Sequence, residues 1–260
     1  TRRSSDLSPS SLLGKKINVI IPEYFAARHD SMMIRYLDTG KGTLFYQKRQ
    51  LWAINSEQET VQIILSMHVQ PFGEYGFSFS GWFRAPANPT EQIVITSTGQ
   101  IACCTSHIAR ELDIRRGREL SYHISNVCPE LEKALLTELN KLFEKYNTEY
   151  KVSENRSVFD LIFNEEDANF PEIYQYFQNL ALPVKFRKAS FIGSFSSYAD
   201  ADYVIAECTL CLHQFQDRSK IMIITVNSYS PVLGLKTHSA TSKLASKLRE
   251  KMARSEEHTS

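Results

Sequence analysis

Pro86 and Pro89 fall within the run Ala85-Pro86-Ala87-Asn88-Pro89. Neither a helix nor a central strand can run through two prolines so close together. The chain is therefore expected to fold as two stretches, residues 1–87 and 88–230, that meet here. Three strand-like runs precede the prolines, at 43–54, 60–71 and 76–84, with turn residues Asn55-Ser56-Glu57 and Gly73-Glu74 between them. An antiparallel meander is the economical arrangement. In the third run Phe77, Phe79, Gly81 and Phe83 alternate with Ser78, Ser80, Trp82 and Arg84, so one face is apolar and needs a helical layer against it.

Upstream of the strands, Phe25, Met32, Met33, Tyr36 and Leu37 recur at helical spacing and Gly40 closes the pattern, which predicts a short helix pair. Downstream of the prolines the order is a hairpin (91–96, turn 97–99, 100–104), then a helix at 106–112. Apolar residues at 131, 135, 136, 139, 142, 143 and 146 predict an amphipathic helix. Residues 164–169 read as a loop, Pro171 opens a short helix through Leu180, and three more strands are expected at 184–195, 203–215 and 221–229. Hairpin, helices, then strands is an α+β order. Residues 231–253 turn basic, with Leu244, Leu248 and Met252 four apart. They predict a linker and an output helix that is too short to be stable alone and is able to continue as a coiled coil.

Composition narrows the function classes. Thirty Lys+Arg against 29 Asp+Glu give a net charge of +1, which leaves no overall electrostatic footprint for nucleic acid. The longest apolar runs, such as 221–224, are far too short to span a bilayer. Five cysteines are an odd number in a long chain and point to reduced thiols in an intracellular compartment. The first ten residues read as the middle of a loop, so an upstream part is expected. The closing heptapeptide, residues 254–260 (RSEEHTS), resembles the translation of a sequencing-library adapter and is set aside.

The segment LLGKKINVIIPEYFAARHDSMMIRYLDTG, residues 12–40, resembles the middle of PAS (S-box) sensor domains. That resemblance implies a five-stranded antiparallel sheet with helices on one face. Residues 1–87 would then be a PAS domain truncated at its N-terminal side, lacking its first two strands. Residues 88–230, opening with EQIVITSTGQIACCTSHIARELDI, are similar in element order to a divergent second PAS domain with a helical insertion. The run LFYQKRQLWAIN adds a resemblance to the tandem PAS units of protist multipass proteins related to tiny macrocysts protein B. The implied fold class is α+β, with two PAS copies. The implied function is a non-enzymatic sensory and signalling module that binds a small-molecule ligand or another protein domain and relays a conformational change within a larger protein. A homodimer is compatible with it. Membrane contact would come only through segments outside this chain, with the module on the cytoplasmic side.

Two alternatives stay open. In haem-binding PAS sensors a His at the place of His29 is the proximal iron ligand. Arg49, twenty residues on, and Arg35 match the family's basic positions, which would make the chain a haem-based gas sensor. The bland reading of Arg28-His29-Asp30 is a helix-surface or capping pair. The other alternative is a regulatory arm for a kinase or cyclase encoded downstream.

The remaining constellations are weaker. Gly40-Lys41-Gly42 is a turn rather than a phosphate loop, since no helix follows it. Cys208-x-x-Cys211 lacks the four ligands of a zinc site, even counting His213, and its members point to opposite faces of a strand. Trp52 and Trp82, with the phenylalanines at 77, 79 and 83, could line a ligand box or simply be core. His107, His123 and Asp113 do not form a triad on any sequence argument. The first stretch has no cysteine, which argues there against the flavin–cysteine chemistry of photoreceptor PAS domains.

Overall fold

The computed structural model describes residues 9–40, 45–114, 122–145, 157–163, 170–187, 203–215 and 219–232. The chain opens with α1 (Pro9–Leu12) and a 3-10 turn (Ile17–Ile20), followed by α2 (Glu23–Thr39). α2 is one continuous 17-residue helix, not the short pair expected. No residue inside it breaks the i to i−4 ladder, and it ends where Gly40 takes φ 65° and donates its N–H to the Tyr36 carbonyl at 2.7 Å. The Arg28 guanidinium lies 3.9 Å from the Tyr24 ring centroid and also donates to the Tyr24 carbonyl, which stiffens the first turns.

β1 (Lys48–Ile54), β2 (Thr60–Pro71) and β3 (Phe77–Arg84) form an antiparallel sheet in that order. Asn55 shapes the first turn by accepting the N–H groups of Glu57 and Glu59 on its side chain, at 2.9 and 2.8 Å. β1 starts later than expected. Ahead of it Phe45 makes only an isolated bridge to Met67, and Tyr46 stands at φ 60°, which interrupts an extended run. Among the described residues the expected helical layer over β3 is only partly present. Phe79 packs against Tyr36 and Phe45, whereas Phe77 and Phe83 are 64% and 55% exposed, and Trp82 on the opposite face is 72% exposed.

The second unit begins with β4 (Glu91–Thr96) and β5 (Ile101–Cys104). Among the described residues the helices that follow are α3 (Ser106–Glu111), α4 (Ile124–Val127), α5 (Leu131–Lys145), α6 (Val158–Phe163) and α7 (Phe170–Tyr176). β6 (Leu180–Arg187), β7 (Tyr203–Gln214) and β8 (Lys220–Val232) complete it. The antiparallel sheet has the order β5-β4-β8-β7-β6, so the hairpin that opens the unit pairs with its last strand. Two antiparallel sheets with helices make a mixed α/β architecture that fits a PAS-like fold.

Two boundaries moved for a physical reason. β6 takes in Leu180 and Pro183, although the sequence predicts Leu180 as the end of a helix and Pro183 as part of a connection. Among the described residues β6 pairs with β7 alone, so the missing N–H of Pro183 costs no ladder bond on its open side. Pro231 is accommodated in the same way near the end of β8. The expected loop at 164–169, strand residues 188–195 and output helix at 233–253 lie outside the described residues.

The inner face of the second sheet carries the core. Ile93, Met222, Ile224, Leu210 and Phe186 meet Leu135 and Leu139 of α5, Phe159 and Ile162 of α6, and Ile173 and Phe177. All of these side chains are 0–1% exposed, so no water-sized space touches them. Each such burial contributes about 1.5–3 kcal/mol relative to exposure. Lys220, also buried, donates its ammonium to the Phe163 carbonyl at the end of α6, satisfying a group that has no partner within its helix.

Candidate functional site

The most organised polar and aromatic assembly outside that core lies where the two units meet. A β-bulge opposite Val94/Ile95 turns both Ala102 and Cys103 of β5 toward the outer face of the second sheet. Together with Val94 and Ile221 they make an apolar patch, which Trp52 of β1 covers and Tyr24, Phe25, Phe215 and Ile223 flank. Phe25 stacks on Trp52 with centroids 5.5 Å apart and planes within 8°, and meets Phe215 edge-on at 5.8 Å.

Polar contacts stitch the same seam. The Trp52 indole donates to Gln92 Oε1 at 3.0 Å, and Gln92 Nε2 donates to Thr225 Oγ1 at 3.3 Å. The Gln92 backbone N–H donates to Thr105 Oγ1 at 2.9 Å, and that hydroxyl donates to Glu91 Oε2 at 2.5 Å. The same carboxylate oxygen accepts the Ile108 N–H at 3.0 Å, a bond made to the first turn of α3. Gln62 of β2 holds the connection between the units, accepting the Thr90 N–H at 2.9 Å and donating to its hydroxyl at 3.0 Å.

The sequence candidates His29, Arg35 and Arg49 lie on α2 and β1. The side chain of His29 is 25% exposed and its Nδ1 lies 3.6 Å from Asp30 Oδ1. That nitrogen is buried without a hydrogen-bond partner. Asp30 turns instead to Lys16, at 2.8 Å. The hydrogen bond and charge of Lys16 hold the Asp30 carboxyl below its ordinary range. Arg35 follows His29 by six residues on α2, about a third of a turn around and ~9 Å further along, and is exposed. Arg49 is exposed on β1, where it donates to Gln47 Oε1 at 2.5 Å, and its charge is felt by His213 of the second unit. Among the described contacts none joins His29, Arg35 and Arg49 to one another.

The other constellations resolve as ordinary structure. Burial pushes the thiols of Cys104, Cys128 and Cys208 up to about 12 and that of Cys103 well above its usual value. Cys211 donates to Gln178 Oε1 at 2.9 Å. Among the described residues no group of three His, Cys, Asp or Glu side chains could hold a metal ion. His123 caps α4, accepting the Ser125 N–H on Nδ1, while Nε2 lies 3.0 Å from the Thr98 carbonyl. Trp52 and Trp82 share no box, since one is buried in the junction and the other faces solvent. Of the two residues at the centre of the junction, Phe25 belongs to the apolar pattern that marks α2, whereas nothing in the sequence marks Gln92 as a contact. The only signal was a polar residue alternating with Ile93 and Ile95 on a strand.

No protein-family model matches the chain, and no curated protein matches it. Among solved structures, a PAS domain from a two-component sensor histidine kinase is similar at a TM-score of 0.32 and 10% identity. The match covers 54% of this chain and 85% of that one. So distant a likeness does not speak to function. Among the described residues no helix is long and apolar enough to cross a membrane.

Proposed function

We propose that this chain is a PAS-type sensory module that acts by protein contact rather than catalysis, with two copies of one fold of which the first is incomplete. The observation that carries this reading is the contrast between equivalent edges. β6, β7 and β8 form an antiparallel meander after a helix, just as β1, β2 and β3 do, and the free side of β8 pairs with β4. The corresponding side of β3 has no partner strand among the described residues. Nine of the ten large apolar side chains that stand exposed among the described residues lie before residue 85. An open edge beside exposed phenylalanines is a template for strand addition.

The filled interior of the second unit supports a binding partner over a small ligand there, because its inward side chains have no surface left to offer one. The module would pass its state to a larger protein, on a membrane or as the regulatory arm of a catalytic domain, through the segment after β8. The haem alternative has no contact among His29, Arg35 and Arg49 in its favour among the described contacts. The chain prepared with haem supplied is expected to show no Soret band, and a band lost in His29→Ala would restore that alternative.

The deciding experiment is to recover the transcript beyond both ends, express the chain with its upstream segment, and compare hydrogen exchange at the β3 amides. Protection of Phe77–Arg84 should rise toward that of β8 when the segment is present. Amides of β3 that exchange as slowly as those of β8 in the present chain would sink the incomplete-copy reading.

A further inference from the structure

We propose that the junction is a two-position latch: α2 and β1 of the first unit release as one body from the outer face of the second sheet, and the Trp52–Gln92 hydrogen bond is the catch that reports their position to α3. The inference rests on the junction itself and holds whether or not the first unit is an incomplete PAS copy.

Three observations lead to it. First, the junction cluster is small and separate from the main core. Trp52, Val94, Ala102, Cys103 and Ile221 are its buried members, and none of them belongs to the cluster on the inner face. The second unit therefore keeps its core if the first lifts away, and units joined by so limited a surface are expected to move relative to one another. Second, β1 reaches the second sheet through one directional side-chain bond, while β2 keeps its own ties beside α3, where Thr60 bridges Thr105 and its carbonyl accepts the Ser106 hydroxyl at 3.5 Å. Trp52 is the only indole that reaches Gln92 among the described contacts, and Gln92 is held from behind by Thr225 of β8. Third, the contact continues into the second unit through hydrogen bonds rather than stopping at the surface. Gln92 N–H to Thr105 Oγ1, Thr105 Oγ1 to Glu91 Oε2, and Ile108 N–H to Glu91 Oε2 form one unbroken chain into the first turn of α3. Loss of the Trp52 bond frees the Gln92 side chain. It also loosens the strand end on which Thr105 and Glu91 are mutually positioned. A two-state element biased at one end and read at the other is the physical requirement for coupling.

Cys103 gives the readout, because its thiol is buried in the junction while Cys128 and Cys208 are buried in the main core. Pulsed alkylation of the full chain, followed by peptide mass spectrometry, reports the two places separately. Phe25→Ala removes the ring stacked on Trp52 and should speed labelling of Cys103 by about tenfold or more, with Cys128 and Cys208 unchanged. Trp52→Phe keeps a ring in place and deletes the donor. It should raise both Cys103 labelling and hydrogen exchange at the Ile108 amide, while the amides of β6 stay as they were. Labelling of Cys103 that does not change in Phe25→Ala, or that rises only in step with Cys128 and Cys208, overturns the latch. Exchange at Ile108 that ignores Trp52→Phe overturns the catch.

Discussion

The two sheets differ in what stands against them. The second has helices on its inner face, a neighbour for the free side of β8, and the first unit resting on part of its outer face. Among the described residues the first sheet has little of this. Its buried apolar residues, taken with α2, are Ala26, Phe45, Trp52, Ala53 and Ile54, and Trp52 is buried by the other unit. Both halves carry alternating apolar strands, so alternation alone does not make a core. A strand buries its apolar face only when another layer is delivered to it.

The largest expected effect tests that contrast directly. Phe177 is 0% exposed in the second unit, and Phe177→Ala should lower the stability of that unit by about 3–5 kcal/mol in urea denaturation. Phe83→Ala, on the open sheet, should cost less than about 1 kcal/mol. Equal losses at the two positions would mean that the first sheet is covered in solution.

Two glycines sharpen the comparison at the level of turns. A Cβ on Gly99, at φ +78°, would lie 2.3 Å from His123 Nε2 and 2.8 Å from Phe159 Cε2. Gly99→Ala therefore combines a left-handed backbone with a collision against the residue that caps α4, and should cost about 2 kcal/mol or more. Gly40, at φ +65°, has open space around the same position, so Gly40→Ala should cost only about 1 kcal/mol of backbone strain. Thermal unfolding of the two variants should rank them in that order.

The parts of the fold legible in the sequence are those fixed by local chemistry. The stripe Leu131, Leu135, Leu139, Leu142 and Phe143 is the buried face of α5, and Ser97-Thr98-Gly99 is the turn between β4 and β5. The α2 stop at Gly40 belongs to the same class. What stayed hidden depends on register or on distant partners. Pro183 reads as a strand breaker until the topology places it on an edge. The outward turn of both Ala102 and Cys103 comes from a bulge that only pairing with β4 reveals. The stacking of Phe25 on Trp52 and the reach of Trp52 to Gln92 join residues far apart in the chain, with no periodicity to announce them. His29, Arg35 and Arg49 have suggestive spacing in the sequence, but spacing alone does not say which way side chains on a helix and a strand point.

The smallest expected effect is at the rim of the junction and concerns charge. His213 sits on β7 with its ring 4.8 Å from Phe215. The His213 side chain keeps some exposed surface, and the desolvation of its covered part first, then the positive charge of Arg49 from the first unit, hold its pKa below the ordinary 6.5. The imidazole is thus harder to protonate in the docked chain than in the unfolded one. Its contribution is level above about 6.5, is lost as pH falls below that value, and levels again once the folded imidazole carries its proton. Urea midpoints at about pH 7.5 and about pH 5 should differ more in the parent chain than in His213→Gln, the remainder coming from other groups. Arg49→Gln should shrink the difference in the same direction, because it removes the cation that the imidazolium would face across the junction. A pH response that survives both substitutions unchanged would place the titrating group elsewhere. A response that His213→Gln reduces and Arg49→Gln does not would assign the shift to burial alone, with the two units then free of electrostatic opposition where they meet.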